Sequence, residues 1–346
     1  MAGSIYDYIT NDANPFGLAA IVSTWGNNNL KWQKTQTYNI GLNAQFFQNR
    51  LNFTIDYQYR TNDPMLVRID LPTSTGTTYS PINVGATRNR SITANITGYI
   101  FKKRDLNWYI SANINHNESE YYNIGDVLQK YNEQGRLSTS LLRYYDGGSL
   151  TGLYVVRSAG IDPATGNEIF IKKDGTHTYE YDASDEILFG DSNPDIQGSI
   201  NTSLTWKDFS FGASFSYRMG GEVQLTTLLN KVENISTQAL EYNQDVRALT
   251  DRWQKPGDIV KFKRIDDTSK TPMSSRFIAT ENTLQFTSIN IGYRTTRAKF
   301  LKAIGATSFN VTAYMNDIFR ISTIKEERGL NYPFQRSVSF SFGLGF

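Results

Sequence analysis

The chain contains no cysteine among its 346 residues. Disulfides, Cys-ligated zinc and thiol catalysis are therefore excluded, and the redox compartment stays open. Histidine is nearly as scarce. His116 and His177 are the only two, a poor basis for a multi-histidine metal site or a His-based triad. No Gly-x-Ser-x-Gly elbow, Walker-type phosphate loop or His-Glu-x-x-His stretch is present, so the reading is non-enzymatic, with no catalytic residue, no cofactor and no metal. Neither sign of charge dominates: 35 Lys and Arg face 33 Asp and Glu, which implies no polyanionic partner and no nucleic acid. No apolar run approaches the ~20 residues of a membrane helix. The opening MAGSIYDYITNDANPFG has neither a basic n-region nor an apolar h-region, so no signal peptide is visible.

What is abundant is aromatic. The chain has 21 Tyr and 20 Phe against 9 Pro, a composition that favours strands. Helical periodicity is scarce, and 222–253 is the main candidate for helical turns. Elsewhere the pattern has a period of two. LNFTIDYQYR places Leu51, Phe53, Ile55, Tyr57 and Tyr59 on one face and Asn52, Thr54, Asp56, Gln58 and Arg60 on the other. Residues 37–46, 91–100, 106–115, 196–206 and 209–218 follow the same scheme. LQFTSINIGY changes parity between Phe286 and Ile289, which predicts a β-bulge near 287–288.

Strand length sets the class. Strands in soluble sandwiches run ~5–6 residues, whereas a tilted membrane-crossing strand needs ~9–11. Most segments here fall in the second class, and their polar faces of Asn, Ser, Thr, Gln and Gly suit a wet lumen. Tight turns at 48–50, 102–105 and 207–208 alternate with long connections at 63–90, 118–149, 220–281 and 317–334. That is the short-periplasmic, long-extracellular alternation of outer-membrane barrels. Trp108 and Trp206 lie beside short turns, where a periplasmic aromatic girdle is expected. The predicted fold is an all-β antiparallel transmembrane barrel with strands at 36–47, 51–62, 90–101, 106–118, 150–158, 167–173, 195–206, 208–219, 283–294, 306–316 and 335–346. Single-chain bacterial barrels have even strand numbers. Eleven strands without a visible signal therefore predict that residues 1–346 are a C-terminal piece of a larger barrel.

Several stretches resemble one family. NNNLKWQKTQTYNIGLNAQFFQNRLNFTIDYQYR is similar to the NPNLKWEKT loop and following hairpin of SusC/RagA-type TonB-dependent outer-membrane transporters of Bacteroidetes. SAGIDPATGNEIFIKKDG, FGDSNPDIQGSINTSLTWKDFSFGASFSY, TDRWQKPGD with SSRFI, and the closing NYPFQRSVSFSFGLGF follow in the family's order. The similarity covers essentially the chain after residue 25. The resemblance implies a 22-stranded barrel in the outer membrane of a Gram-negative cell, of which this is the second half. It implies import of oligosaccharides or peptides, energy from the TonB complex through an N-terminal plug, and a SusD-like surface lipoprotein as cap. Plug, TonB box and first barrel half are absent from this sequence, so the chain alone is not expected to transport. A siderophore or other small-ligand receptor of the same barrel class, and a soluble or surface-attached β-rich adhesin, are the alternatives.

Candidate substrate contacts are Tyr121, Tyr122, Tyr144, Tyr145, Arg252 and Trp253, which fall in long loops. Aromatic rings stack on sugar faces; packing within the loops or against the lipoprotein is the other reading of each. The terminal alternation of Val338, Phe340, Phe342, Leu344 and Phe346 looks like the signal read by the barrel-assembly machinery. Asp162, Asp191 and Asp195, beside Gly and Pro, are assigned to turn chemistry rather than to calcium. Seven Asn-x-Ser/Thr triplets, Asn95, Asn201 and Asn310 among them, read as lumen lining.

Overall fold

The computed structural model describes residues 5–10, 18–71, 73–76, 79–136, 138–325, 327 and 336–346. Residues 326 and 328–334 of the 317–334 connection, and residue 335, the predicted start of the last strand, lie outside the described residues.

Nine long strands form one antiparallel sheet. They are β1 (Lys34–Phe46), β2 (Leu51–Asp63), β3 (Ala86–Lys102), β4 (Leu106–Tyr122), β5 (Ile196–Trp206), β6 (Phe209–Met219), β7 (Thr283–Thr295), β8 (Ser308–Ser322) and β9 (Val338–Gly345). Each pairs with its predecessor and successor in sequence, without crossovers, and the sheet is open between β1 and β9. Tight turns follow β1, β3 and β5. In the first of them Phe47, Gln48 and Asn49 are all left-handed, with φ of 56–64°. The connection from β7 to β8, at the same end of the sheet, is longer and carries the short helix Lys299–Ala303. No helix among the described residues is long and apolar enough to cross a membrane.

The described residues place nine strands in the sheet rather than eleven. Segments 150–158 and 167–173 are extended, but they belong elsewhere. Gly152–Val155 pairs with Ile187–Asp191, and Arg157–Ile161, Glu168–Ile171 and His177–Thr178 form a small three-stranded sheet. Strands of four or five residues are too short for the ~9–11 of a crossing. Leu153, Val155 and Phe170 are buried in a core rather than displayed on one face.

The register carries the alternation from strand to strand. Ala44 pairs with Phe53, Phe53 with Ile96, Ile96 with Ala112, Ala112 with Ile200, Ile200 with Phe215, and Phe215 with Phe286. The apolar positions thus form one continuous face, and they are exposed on the isolated sheet: Ile40 73 %, Phe342 72 %, Phe340 64 %. On β4 that face runs from Leu106 to Ile114, about 27 Å at ~3.4 Å per residue. A strand tilt of ~35–45° reduces this to roughly 20 Å, near the ~25 Å lipid-facing band of outer-membrane barrels. Aromatic rings crowd its turn end: Trp206 stacks on Phe209 at 6.4 Å and Phe209 meets Tyr293 at 4.9 Å. The predicted bulge is at Thr287, which is skipped by the pairing on both sides and donates its hydroxyl to Ser214 O at 2.8 Å.

One position on the apolar face has no room for a side chain. Gly198 lies between Ile114 and Tyr217. A Cβ there would come within 1.9 Å of Asn113 O and 2.7 Å of the Tyr217 hydroxyl, which donates to Asn113 O at 2.9 Å. Gly198→Val is expected to force β4 and β5 apart locally. Overpacking costs of ~1–3 kcal/mol predict a lower folded yield, read as loss of the fast-migrating unheated band in gel electrophoresis. An unchanged yield would show that the strands relax around it.

Candidate functional site

The polar face is built by the same register. Thr54 donates to Asn43 Oδ1 at 2.8 Å, Asn113 to Asn95 Oδ1 at 2.7 Å, and Asn115 to Thr93 Oγ1 at 2.9 Å. Neighbouring strands therefore satisfy one another's amides and hydroxyls, as a surface facing water or a polar solute can. Towards the loop end this wall becomes charged. Glu281, its side chain 12 % exposed, sits between Arg218, 3.5 Å away, and Arg320, which donates to it. Gln285 donates to Asp317 Oδ1 at 2.5 Å. Arg218, Glu281, Gln285 and Arg320 line, with Asn115 and Gln197, a recess of about 490 Å³, which offers guanidinium donors, a carboxylate and amides to a polar ligand.

Above the wall, the connections 123–195 and 220–282 fold into one body. Ile278 of the second packs against Leu141, Leu153 and Val155 of the first. A second core gathers Leu229, Val232, Ala248, Phe262 and Phe277. Between them lies an ionic centre. Arg276 donates to Glu168 at 2.7 Å and to Glu233 at 2.6 Å, with both carboxylates almost wholly buried. Ser274 adds a hydrogen bond to Glu168 at 2.6 Å, and Thr271 one to Glu233 at 3.2 Å. Arg143 and Arg136 converge on buried Glu186 in the same way, at 2.6 and 2.8 Å.

The predicted contact residues are not gathered in one place: Tyr121 and Tyr122, expected in a long loop, end strand β4 because its pairing with β3 runs on to Ala86, and the other four lie in this canopy. Tyr121 is buried with its ring 5.3 Å from Tyr144, in a cluster with Val84, Ile124 and Leu128. Tyr122 points to the opposite side of β4, 43 % exposed, with the Arg88 guanidinium 3.4 Å above its ring. Tyr145 is exposed beside Tyr154. Arg252 is 4 % exposed. It donates to the carbonyls of Ala248, Lys263, Val232 and Glu233, and burial pushes its pKa down. Trp253 donates from its indole to Pro163 O at 2.9 Å and covers Gly166. It lines an apolar recess of about 750 Å³ with Ile235, Leu249 and Ile265. The terminal residues Val338, Phe340, Phe342, Leu344 and Phe346 display their side chains along the free edge of the sheet.

Two of the three aspartates, Asp162 and Asp191, serve turns with their carboxylates. Asp162 accepts from Ala164 N, Thr165 and Tyr179, which hold its carboxyl below the usual range. Asp191 accepts from Thr151 and Asn193 N, and Asp195 O accepts from His116 Nδ1 at 2.6 Å. Sequence reasoning missed Glu281 and Arg320, which lie just beyond its strand limits. Their signal was parity, since Arg320 continues the polar face of β8 past 316.

One carboxylate gives the canopy a readable pH limit. Arg247 donates to Asp245 at 2.9 and 2.5 Å and to Glu327 at 2.6 Å. These hydrogen bonds pull the Asp245 carboxyl down to about 2. Because the folded value is depressed below the ~3.9 of a free aspartate, its contribution is complete above ~4 and lost as pH falls towards 2. Hydrogen exchange at 242–251 is expected to stay flat from pH 7 to 4, after correction for intrinsic rates, and to rise below that. A rise already at pH 6 would implicate another group.

A profile of the family described as TonB dependent receptor-like, beta-barrel, matches residues 2–184, more than half of the chain. TonB-dependent receptor SusC of Bacteroides thetaiotaomicron is 26 % identical over 341 residues, covering 92 % of this chain and 32 % of that protein. TonB-dependent receptor P3 of Formosa agariphila is 23 % identical over 293 residues, covering 79 % and 28 %. Among solved structures, the RagAB peptide transporter superposes with a TM-score of 0.75 at 22 % identity, covering 94 % of this chain and 35 % of the matched chain. The chain thus spans about a third of the length of these relatives.

Proposed function

The chain belongs to the TonB dependent receptor-like β-barrel family, and from that premise we propose that it is the C-terminal part of a SusC/RagA-type transporter importing polar oligomers, oligosaccharide or peptide, through the outer membrane. The observation that carries this reading is the segregation of the nine-stranded sheet into an exposed apolar face and a hydrogen-bonded polar face. Only lipid on one side and a watery lumen on the other suit both. The free edges of β1 and β9 need partners, because unpaired backbone groups are costly in lipid. The remainder of the longer protein supplies those strands, together with the plug that engages the TonB complex. A SusD-like lipoprotein closes over the canopy. Val338 to Phe346 forms the strand end that the assembly machinery reads. The chain binds and passes its ligand without catalysis.

In this reading the recess of Arg218, Glu281 and Gln285 contacts the ligand as it enters the lumen, with Tyr145 and Trp253 as stacking surfaces outside it, whereas Tyr122 stands on the outward side of β4, away from that path. Tyr121, Tyr144 and Arg252 contribute by holding the canopy. The test is uptake of labelled maltooligosaccharides and labelled oligopeptides by cells carrying the full-length transporter. One class is expected to enter in a proton-motive-force-dependent manner. Arg218→Gln with Glu281→Gln should cut uptake roughly tenfold, since hydrogen bonds to charged groups are worth ~1.5–3 kcal/mol. Entry of neither class would overturn the import reading.

A further inference from the structure

The apolar face does not continue to the ends of the long strands. On β1 it stops at Tyr38, on β2 at Tyr59 and on β3 at Ile92. Beyond these, at positions of the same parity, stand Lys34 and Gln36, Thr61 and Asp63, and Arg88 and Arg90. The pairings Lys34 with Asp63, Gln36 with Thr61 and Thr61 with Arg88 put them in adjacent rows on the lipid-facing side, directly above the band. There all but Arg90 line a recess of about 680 Å³, walled by the rings of Trp32, Tyr59 and Tyr122 and rimmed by Lys31, Lys34 and Arg88 against one carboxylate, Asp63. The segment bearing Lys31 and Trp32 is fixed in place. Lys31 N donates to Asn83 Oδ1 at 2.6 Å, and Asn83 returns a bond to Lys31 O at 3.0 Å. Arg88 is shared with Glu120 at 3.5 Å, whereas Lys31 and Lys34 form no ion pair among the described residues. Trp32 is 92 % exposed.

We propose that this outward recess binds the phosphorylated head group of an outer-leaflet glycolipid. Three features select that occupant. The recess opens sideways above the acyl-chain band, where a lipid head group lies and a lumenal substrate does not pass. Its excess charge is positive, and basic pockets at the membrane surface bind anionic head groups. Its walls are aromatic rings at interfacial depth, which can cover a sugar while facing the acyl region below. Lys31 and Lys34 reach the phosphate on flexible stems, and Trp32 covers the sugar. The proposal rests on outer-membrane placement and not on the substrate class, so its failure leaves the import reading standing.

The test uses the full-length transporter, delipidated in detergent, and native mass spectrometry with monophosphoryl lipid A. Wild type is expected to retain the lipid and to discriminate against its dephosphorylated form. Lys31→Gln with Lys34→Gln should weaken retention roughly thirtyfold, on the scale of surface lysines facing an anionic leaflet, and Trp32→Ala should weaken it further. Lys102→Gln with Lys103→Gln, at the opposite end of β3, should leave it unchanged. Three results would overturn the proposal: equal retention of the dephosphorylated lipid, equal loss in the Lys102 and Lys103 variant, or displacement by inorganic phosphate, which would make this a site for the free anion.

Discussion

Arg276→Met is expected to undock the two long loop segments from each other. The guanidinium is only 11 % exposed in its side chain and bridges Glu168, 5 % exposed, to Glu233, fully buried. Removing it takes their shared ion-pair partner from two carboxylates that are shielded from water. Breaking one partner out of a buried ionic cluster costs ~3–5 kcal/mol. That loss weakens a junction otherwise held by Ile278 on Leu141, Leu153 and Val155 and by hydrogen bonds that include Ser158 N to Ser275, Ser275 N to Val156 O, Trp253 to Pro163 O and Arg264 N to Gly166 O. Amide exchange should accelerate together in 152–171 and 225–278, while β4 to β7 keep their protection. Adding Glu168→Gln and Glu233→Gln to Arg276→Met should restore much of the loss, because neutral amides can be buried at less cost than unpaired carboxylates. Unchanged exchange in the single variant would mean that apolar packing alone joins the segments. A rescue that failed would place the effect in lost shape rather than in charge.

Where period-two alternation is complete, the strands were legible from residues alone. β2 and β6 begin and end within about a residue of their predicted limits, since a slip of one would turn every apolar side chain to the wrong face. The parity change between Phe286 and Ile289 located the Thr287 bulge for the same reason. β8 ran longer than predicted because its backbone turns left-handed at Asp317, φ 57°, and the alternation resumes at Phe319 and Ile321. The strands at 152–171 were legible as strands but not as to place. Alternation over four or five residues is the same in a membrane wall and in a small two-sided core, and only tertiary packing on Phe170 and Val155 separates the two. The site was harder still. Arg252 sits in a loop by sequence, yet nothing local announces that backbone carbonyls 4 to 20 residues away use its donors. Glu281 and Arg218 are 63 positions apart in the chain and meet only because β6 and β7 pair at their loop ends.

Ile200→Arg is expected to block membrane insertion where Asn201→Arg, one residue along, does not. Ile200 is central in β5, paired with Ala112 and Phe215 on the apolar face and 39 % exposed. Asn201 occupies the other face, where its amide donates to Ser199 at 3.2 Å. An arginine at the lipid midplane of a barrel costs ~2–4 kcal/mol, whereas lumen positions chiefly tune selectivity. Ile200→Arg in the full-length transporter should therefore lose the heat-modifiable folded form and become open to external protease. Asn201→Arg should keep both properties and alter only what passes. The contrast uses one strand, one new side chain and a single step along the backbone, so differences in helix or strand propensity cannot produce it. Equal damage from the two variants would mean that both faces of the sheet are packed, and with that the lipid-and-lumen reading would fall. A tolerated Ile200→Arg would show that this face meets water. The observed register allows neither, because the row through Ile200 is apolar from Ala44 on β1 to Phe319 on β8.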